Sequence, residues 1–424
     1  VLRRLHAFRL RHLVPLCAGQ RLLAGVVLPA ALGIGAGRLG DVELAGVGAG
    51  PFGDVSVERQ RPHVGLDHRL EVLAGRGERH QLHDVVAARA QELPPMPEER
   101  IFAAAHPIPD QIGLQAAQAV KAALIAASQA GRPVLCLISG GGSALLPAPV
   151  AGVSLQDKIA VNAQLLASGA DIEVMNLIRQ QLSELKGGGM LRYAAPSPVT
   201  ALILSDVIGD DLRAVASGPT VAPIGRKAQA RDILQRLTLW HRLPETVRRV
   251  LQSADVPQDL PEARNLLIGS NGQSLAAMGA AYPTATLHPQ PLIGDVTEAV
   301  RRIADMGRGA HVFGGETTVK LTGTGRGGRN QDLALRLALL AEAEGWKAPW
   351  LYLQAGTDGR DGPTDAAGGV VCETTLSQIR AAGLDPASLL GNNDAYRALA
   401  AAGGLHITGA TGTNVADLGI LIRS

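Results

Sequence analysis

The chain has 424 residues, 46% of them hydrophobic and 18% charged, with a formal net charge of +2. That length favours two domains over one, and so balanced a charge gives no electrostatic reason to bind nucleic acid or an anionic membrane. Aromatics make up 3% and glycine numbers 51, so any core rests on Leu, Val, Ile and Ala.

The first 97 residues read differently from the rest. They hold six of the eleven histidines and no Lys, Asn, Thr, Tyr or Trp; the first lysine is Lys121. Two readings stay open: a divergent N-terminal region, or translation out of the native frame of a GC-rich gene, which inflates Arg, Gly, Ala, Leu and His. The basic opening stretch lacks a continuous apolar stretch and is not read as a signal peptide. "GIGAGRLGDVELAG" at 33–46 has the glycines of a dinucleotide fingerprint but no convincing strand before it, so it reads as chance. Cys17, Cys136 and Cys372 lie too far apart for a metal-ligand spacing or a disulfide framework, as expected in a reducing cytoplasm. No apolar run reaches the roughly 18 residues of a membrane span.

From "IFAAAHPIPD" (101–110) onward the chain is locally coherent, with His106 expected to be structural. Apolar runs ending in Gly/Ser/Asp/Asn loops recur at "PVLCLISGGGSALL", "VTALILSDVIGDD", "NLLIGSNGQSLAAM", "HVFGGETTVKL" and "WLYLQAGTDGRDGPTD". Amphipathic helices lie between them: "QIGLQAAQAVKAALIAASQA", "LQDKIAVNAQLLASG" and "NQDLALRLALLAEAE". Strands alternating with helices predict an α/β fold with largely parallel sheets flanked by helices. Ligands then bind beyond the carboxyl ends of the strands, where these polar loops gather.

Each loop offers chemistry and a blander alternative. In Ser139-Gly140-Gly141-Gly142-Ser143, glycines let backbone N–H groups converge on an anion, with both serines as further donors; a tight turn that binds nothing is the alternative. The loop is neither a Walker A motif nor a nucleophile elbow. Arg179 and Lys186, seven apart, share a helical face that suits a carboxylate or phosphate, or simply water. Asp206, Asp210 and Asp211 follow a strand, where carboxylates suit Mg²⁺ or cap a turn. Gly325, Gly327 and Gly328 interleave with Arg326 and Arg329 at a helix entrance, and an arginine fork fits phosphate or carboxylate. Asp358, Asp361 and Asp365 stand among glycines after another strand. A phosphate cradle, arginine and carboxylates together suggest phosphoryl transfer.

From about residue 100 to the end the chain resembles the glycerate 2-kinases, whose C-terminal half is the MOFRL domain. "HPIPD", "LISGGGSALL", "LLASGADIEVMNLIRQQLSELKGGGM", "LSDVIGDDLRAVASGPT", "GGETTV", "GRGGRNQDLAL", "AGTDGRDGPTDAAGG" and "TGTNVADL" carry the likeness, in order. The resemblance implies two α/β domains, 1–255 and 256–424, with the active site in the cleft between them. It implies transfer of the ATP γ-phosphoryl to the 2-hydroxyl of D-glycerate with Mg²⁺, in the cytoplasm, with a homodimer left open. Arg329 corresponds to an arginine regarded as essential in the family. By the same likeness Ser139–Ser143, with Gly327 and Gly328, would hold the nucleotide, Arg179 and Lys186 the substrate, and Asp206 with Asp210 the metal. Asp358, or Asp206 in its place, would hold the metal or orient the hydroxyl. Family members are often labelled hydroxypyruvate reductase, so NAD(P)H-dependent reduction is the alternative activity. The family's "GAGK" lysine has no counterpart, since Pro51 stands at the nearest glycine run, "GVGAGPFGD". The chain is therefore expected to be impaired, down to a relic that only binds ligand, or to carry a first segment read out of frame.

Overall fold

In the first half, β3 (Val134–Ser139), β4 (Val199–Leu204) and β5 (Ala263–Gly269) hydrogen-bond in that order, all parallel. Parallel neighbours need long crossovers. α3 (Leu155–Ala167), α4 (Ile172–Gln181), α6 (Lys227–Arg236) and α7 (Glu245–Gln252) lie along these connections. Leu165, Ile178, Leu234, Trp240 and Val247 join these helices in one buried cluster. Ser154 starts α3 with a reciprocal cap, its Oγ accepting from Asp157 N at 3.0 Å while Asp157 Oδ2 accepts from Ser154 N at 2.9 Å. β5 lies past the boundary expected at 255, yet it completes the first sheet. Among the described residues β3 is an edge strand, with Leu137 66% exposed on one face. Successive side chains point to opposite faces, so an edge strand covered on one side shows alternate residues to solvent.

The structure is a computed structural model that describes residues 85–89, 100–105, 107–255 and 260–424. The readings of the first 97 residues other than 85–89, including the glycine run at 33–46, Cys17 and Pro51, fall outside the described residues, as does His106. The described residues belong to one contact unit. β1 (Val85–Arg89) pairs in parallel with β2 (Arg100–Ala104), ahead of α1 (Gln111–Gln129). Cys136 keeps a free thiol. Among the described residues no helix is long and apolar enough to cross a membrane.

The second sheet has the order β10–β9–β8–β11–β7–β6, from β6 (Thr286–Asp295), β7 (Gly309–Thr318), β8 (Trp350–Gly356), β9 (Gly368–Cys372), β10 (Leu405–His406) and β11 (Asp417–Arg423). β6, β7, β8 and β10 run in one sense, while β9 and β11 are inserted the other way. Pro289 and Pro291 lack the N–H a ladder needs, and the β6–β7 register shifts between His288 and Leu292. α10 (Arg329–Ala343) lies against the sheet, with Leu333, Leu335 and Leu337 fully buried in a cluster that also holds Phe313 and Tyr352. The α/β expectation holds. The last strand has a particular consequence: by running backwards between β7 and β8, β11 sets its first residue, Asp417, opposite Gly315 and Gly356 at their carboxyl ends.

Candidate active site

Arg329 is the first residue of α10, and its guanidinium is held on two sides. Nε and Nη2 donate to Asp417 Oδ2 and Oδ1 at 2.7 and 3.0 Å, and Nη1 lies 3.0 Å from Glu316 Oε1. Asn330 Nδ2 donates to Asp417 Oδ1 at 3.1 Å. Asp417 is 1% exposed; burial pushes its carboxyl up, against the pull of Arg329, and the charge of Asp358 pushes the same way as burial. Burial also raises Glu316, opposed by Arg329 and reinforced by Asp417 and Asp206. For Arg329 burial acts to lower the value, but the Asp417 hydrogen bond and the charges of Asp417, Glu316 and Asp361 outweigh it, so the cation is held more firmly than usual.

The helix entrance itself is occupied. Asp361, 3% exposed, accepts from Asn330 N at 3.1 Å and Gln331 N at 2.8 Å, satisfying two of the N–H groups a helix start leaves unpaired. Burial raises its carboxyl to about 6 despite these bonds. Gly328 is the residue before the helix, and a Cβ there would overlap the Asp361 carboxyl; one on Gly327 would lie 3.3 Å from Asn393 O. The missing side chains thus make room for protein neighbours.

In the first half, β3 delivers the glycine loop and β4 delivers Asp206. Gly141 takes a left-handed φ of 75° to turn the chain into the short helix α2 (Gly142–Leu145). Gly140 is pressed so closely on Asp206 that a Cβ would overlap its carboxylate. Ser143 Oγ lies 2.9 Å from Ser217 Oγ, which donates to Asn176 Oδ1 at 3.1 Å. Ala216 and Ser217 are both left-handed, at φ 48° and 62°, a strained pair of the sort that surrounding structure must enforce.

Asp206 bears electrostatically on both halves. It touches the glycine loop on one side, and its charge raises Glu316, the partner of Arg329, on the other. Ser205 N donates to Gly269 O at 2.9 Å, and Asn271 Nδ2 donates to Val415 O and Asp417 O at 2.8 and 2.9 Å. The carboxyl ends of both sheets therefore converge.

Behind the glycine loop lies a group of cations. Lys186, 4% exposed, donates to Ser143 O and Leu146 O at 2.7 and 3.1 Å. Lys158 donates to Pro147 O and, at 3.0 Å, to Leu182 O. Arg179 donates through Nε to Asn162 Oδ1 at 2.9 Å. Burial, then the charge of Arg179, pushes the Lys186 ammonium down to about 7, and burial, then Lys186 and Arg179, pushes Lys158 well down. Cations that depress one another in this way attract an anion.

The residues singled out from sequence thus fall into groups. Gly140 packs on Asp206, whose charge acts on Glu316, the ion-pair partner of Arg329, and Asp358 lies near Asp417. Arg179 and Lys186 sit at the back of the glycine loop with Lys158, a lysine on α3 that sequence pattern does not single out. Arg179 and Lys186 do not share the helical face expected, since α4 ends at Gln181 and Lys186 lies in the turn beyond it. Asp211 pairs with Arg213 at 2.8 Å, and Asp365 accepts from Tyr396 Oη at 2.8 Å on the surface. Glu316 and Asp417 were also missed. A lone acid opening the last apolar run, "DLGILIR", was the available signal for Asp417.

The donor set suits a divalent cation. Asp210 Oδ1 is buried with no hydrogen-bond partner, a state a cation relieves. Asp206, Glu316, Asp417 and Asp358 outnumber Arg329. Among the described residues no three His, Cys, Asp or Glu form a cage for a metal ion. For a nucleotide, the Ser139–Ser143 backbone is the loop with an anion-compatible form and cations behind it.

Two family profiles match: one described as a domain of unknown function (DUF4147) over residues 68–252, and the MOFRL family over 309–417. The chain is 38% identical over 379 residues to glycerate kinase of Rattus norvegicus, covering 74% of this chain and 72% of that protein. It is 38% identical over 343 residues to D-glycerate 2-kinase of Thermotoga maritima, covering 76% and 80%. A crystal structure of glycerate kinase from Thermotoga maritima superposes with a TM-score of 0.71 at 36% identity, covering 78% of this chain and 82% of that one.

Proposed function

Because this chain belongs to the glycerate kinase family, we propose that it transfers the γ-phosphoryl of ATP to the 2-hydroxyl of D-glycerate, giving 2-phosphoglycerate. The observation that carries the reading to particular residues is the Arg329 guanidinium held between Asp417 and Glu316, at the strand ends that Asn271 ties together through Val415 O and Asp417 O. Phosphoryl transfer needs positioning and charge stabilisation more than covalent chemistry, and this edge offers both. We read the chain as two domains meeting after β5, working in the cytoplasm.

In this reading the Ser139–Ser143 amides hold the nucleotide phosphates, while Gly327 and Gly328, expected from the sequence to share that role, pack on Asn393 and Asp361 instead. Lys186 and Arg179, with Lys158 behind, draw the glycerate carboxylate. The substrate displaces Glu316 from Arg329, whose freed N–H groups then face the transferring phosphoryl, while Asp417 keeps the guanidinium in place. Asp358 accepts a hydrogen bond from the 2-hydroxyl and orients its oxygen for attack. Asp206 and Asp210 would hold Mg²⁺, which would neutralise charge on the phosphates.

ATP-dependent formation of 2-phosphoglycerate from D-glycerate tests this. No turnover from a folded sample refutes it for this chain; calorimetric binding of nucleotide without turnover would mark a ligand-binding relic. NADH oxidation on adding hydroxypyruvate would establish the reductase instead.

A further inference from the structure

The segment entering α10 is laid against a turn that none of the chemistry above uses. Asn393 Oδ1 accepts from Thr322 N at 2.7 Å and Gly323 N at 2.8 Å, while its Nδ2 donates to Lys320 O at 3.2 Å. On either side, Asn392 Oδ1 accepts from Thr324 N at 3.1 Å, Asn392 O from Gly325 N at 2.9 Å, and Asp394 Oδ1 from Arg326 N at 3.1 Å. Three successive residues thus take up five successive backbone N–H groups.

The glycine spacing has the same origin. Cβ atoms on Gly323 and Gly325 would overlap Asn392 O and Asp394 Cβ, and one on Gly327 would crowd Asn393 O. The side of the segment that carries Gly323, Gly325 and Gly327 is thus the one pressed on the turn. Asn393 is 8% exposed and left-handed, at φ 56°, a conformation Asn and Gly tolerate where most residues do not. The segment runs straight into Gly328 and Arg329.

We infer that Asn393 is a positioning residue for Arg329: its side-chain amide moulds the 320–328 segment and so sets where α10 begins and where the guanidinium meets Asp417. The inference rests on the kinase reading for its kinetic consequence and on geometry alone for its structural one.

Three variants separate the two. Asn393→Gly keeps the left-handed backbone and removes the amide; Asn393→Asp keeps the two-bond acceptor; Asp417→Asn reports on Arg329. Hydrogen exchange at Thr322 and Gly323 should rise at least tenfold in Asn393→Gly and stay near wild type in Asn393→Asp. The fall in Tm caused by Asp417→Asn should shrink by about half in the Asn393→Gly background, because residues in one network couple. For D-glycerate phosphorylation kcat should drop about 10- to 100-fold in Asn393→Gly, with KM for glycerate nearly unchanged, as misplacement of a catalytic group predicts; Asn393→Asp should recover most of it. Additive Tm changes, unchanged exchange, or equal damage from Gly and Asp would overturn the inference. An inactive wild type refutes the kinase reading, and the exchange and Tm measurements still decide this one.

Discussion

Replacing Asp417 with Asn tests the centre of the site with almost no change in shape. Asp417 is 1% exposed and accepts from Arg329 Nε at 2.7 Å, from Nη2 at 3.0 Å and from Asn330 Nδ2 at 3.1 Å. Asparagine keeps one oxygen and turns the other acceptor into a donor, which must face either guanidinium or amide N–H. Removing one member of a buried ion pair costs ~3–5 kcal/mol. The Arg329 side chain is 33% exposed and retains Glu316, so solvent and that second carboxylate recover part, leaving about 2–3 kcal/mol. In a chain of this size that lowers Tm by roughly 2–3 °C. A guanidinium no longer fixed on both sides should also cost about 10² in kcat. Calorimetric melting and ADP release with D-glycerate measure the two effects. A Tm within about 1 °C of wild type would show that the pair contributes no stability. A kcat within about threefold would show that Asp417 does not set the arginine.

Three further outcomes follow from the same geometry. Gly140→Ala must push aside the Asp206 carboxylate, the end of a flexible side chain, so it should cost about 1 kcal/mol or less in stability yet raise the Mg²⁺ concentration for half-maximal rate about tenfold; an unchanged Mg²⁺ titration would remove Asp206 from the metal site. Lys186, depressed from 10.5 to about 7, binds its proton more weakly folded than unfolded, so its influence leaves stability intact above 10.5 and subtracts from it as pH falls toward 7. Inorganic phosphate should bind more weakly as pH rises above about 7, by up to roughly tenfold per unit, and Lys186→Met should flatten that slope; a flat calorimetric profile in the wild type argues against the lysine as an anion ligand. Asp361→Ala strips the acceptor from two N–H groups at the start of α10 and should cost about 1–3 kcal/mol. Because the Asp361 carboxyl is raised from 3.8 to about 6, its ionisation in the folded protein subtracts stability as pH rises across that window; Asp361→Asn should remove that part of the slope in urea melts.

The sequence by itself determined the local units. Short apolar runs followed by glycine, serine and aspartate turns, with amphipathic helices between them, are written in residue order and period, so the α/β class and the loops carrying Ser139 to Ser143, Asp206 and Arg329 were legible. Tertiary structure decided what those loops meet. Arg329 and Asp417 are 88 residues apart and touch because β11 runs backwards between β7 and β8, a pairing that no local pattern encodes. The same holds for Lys158 beneath the glycine loop, for Asp361 at the entrance of α10, and for Asn393 under the glycine face of the segment before it. A glycine reads in sequence as space for a ligand; only the packed chain shows whether the space is already filled by its own side chains.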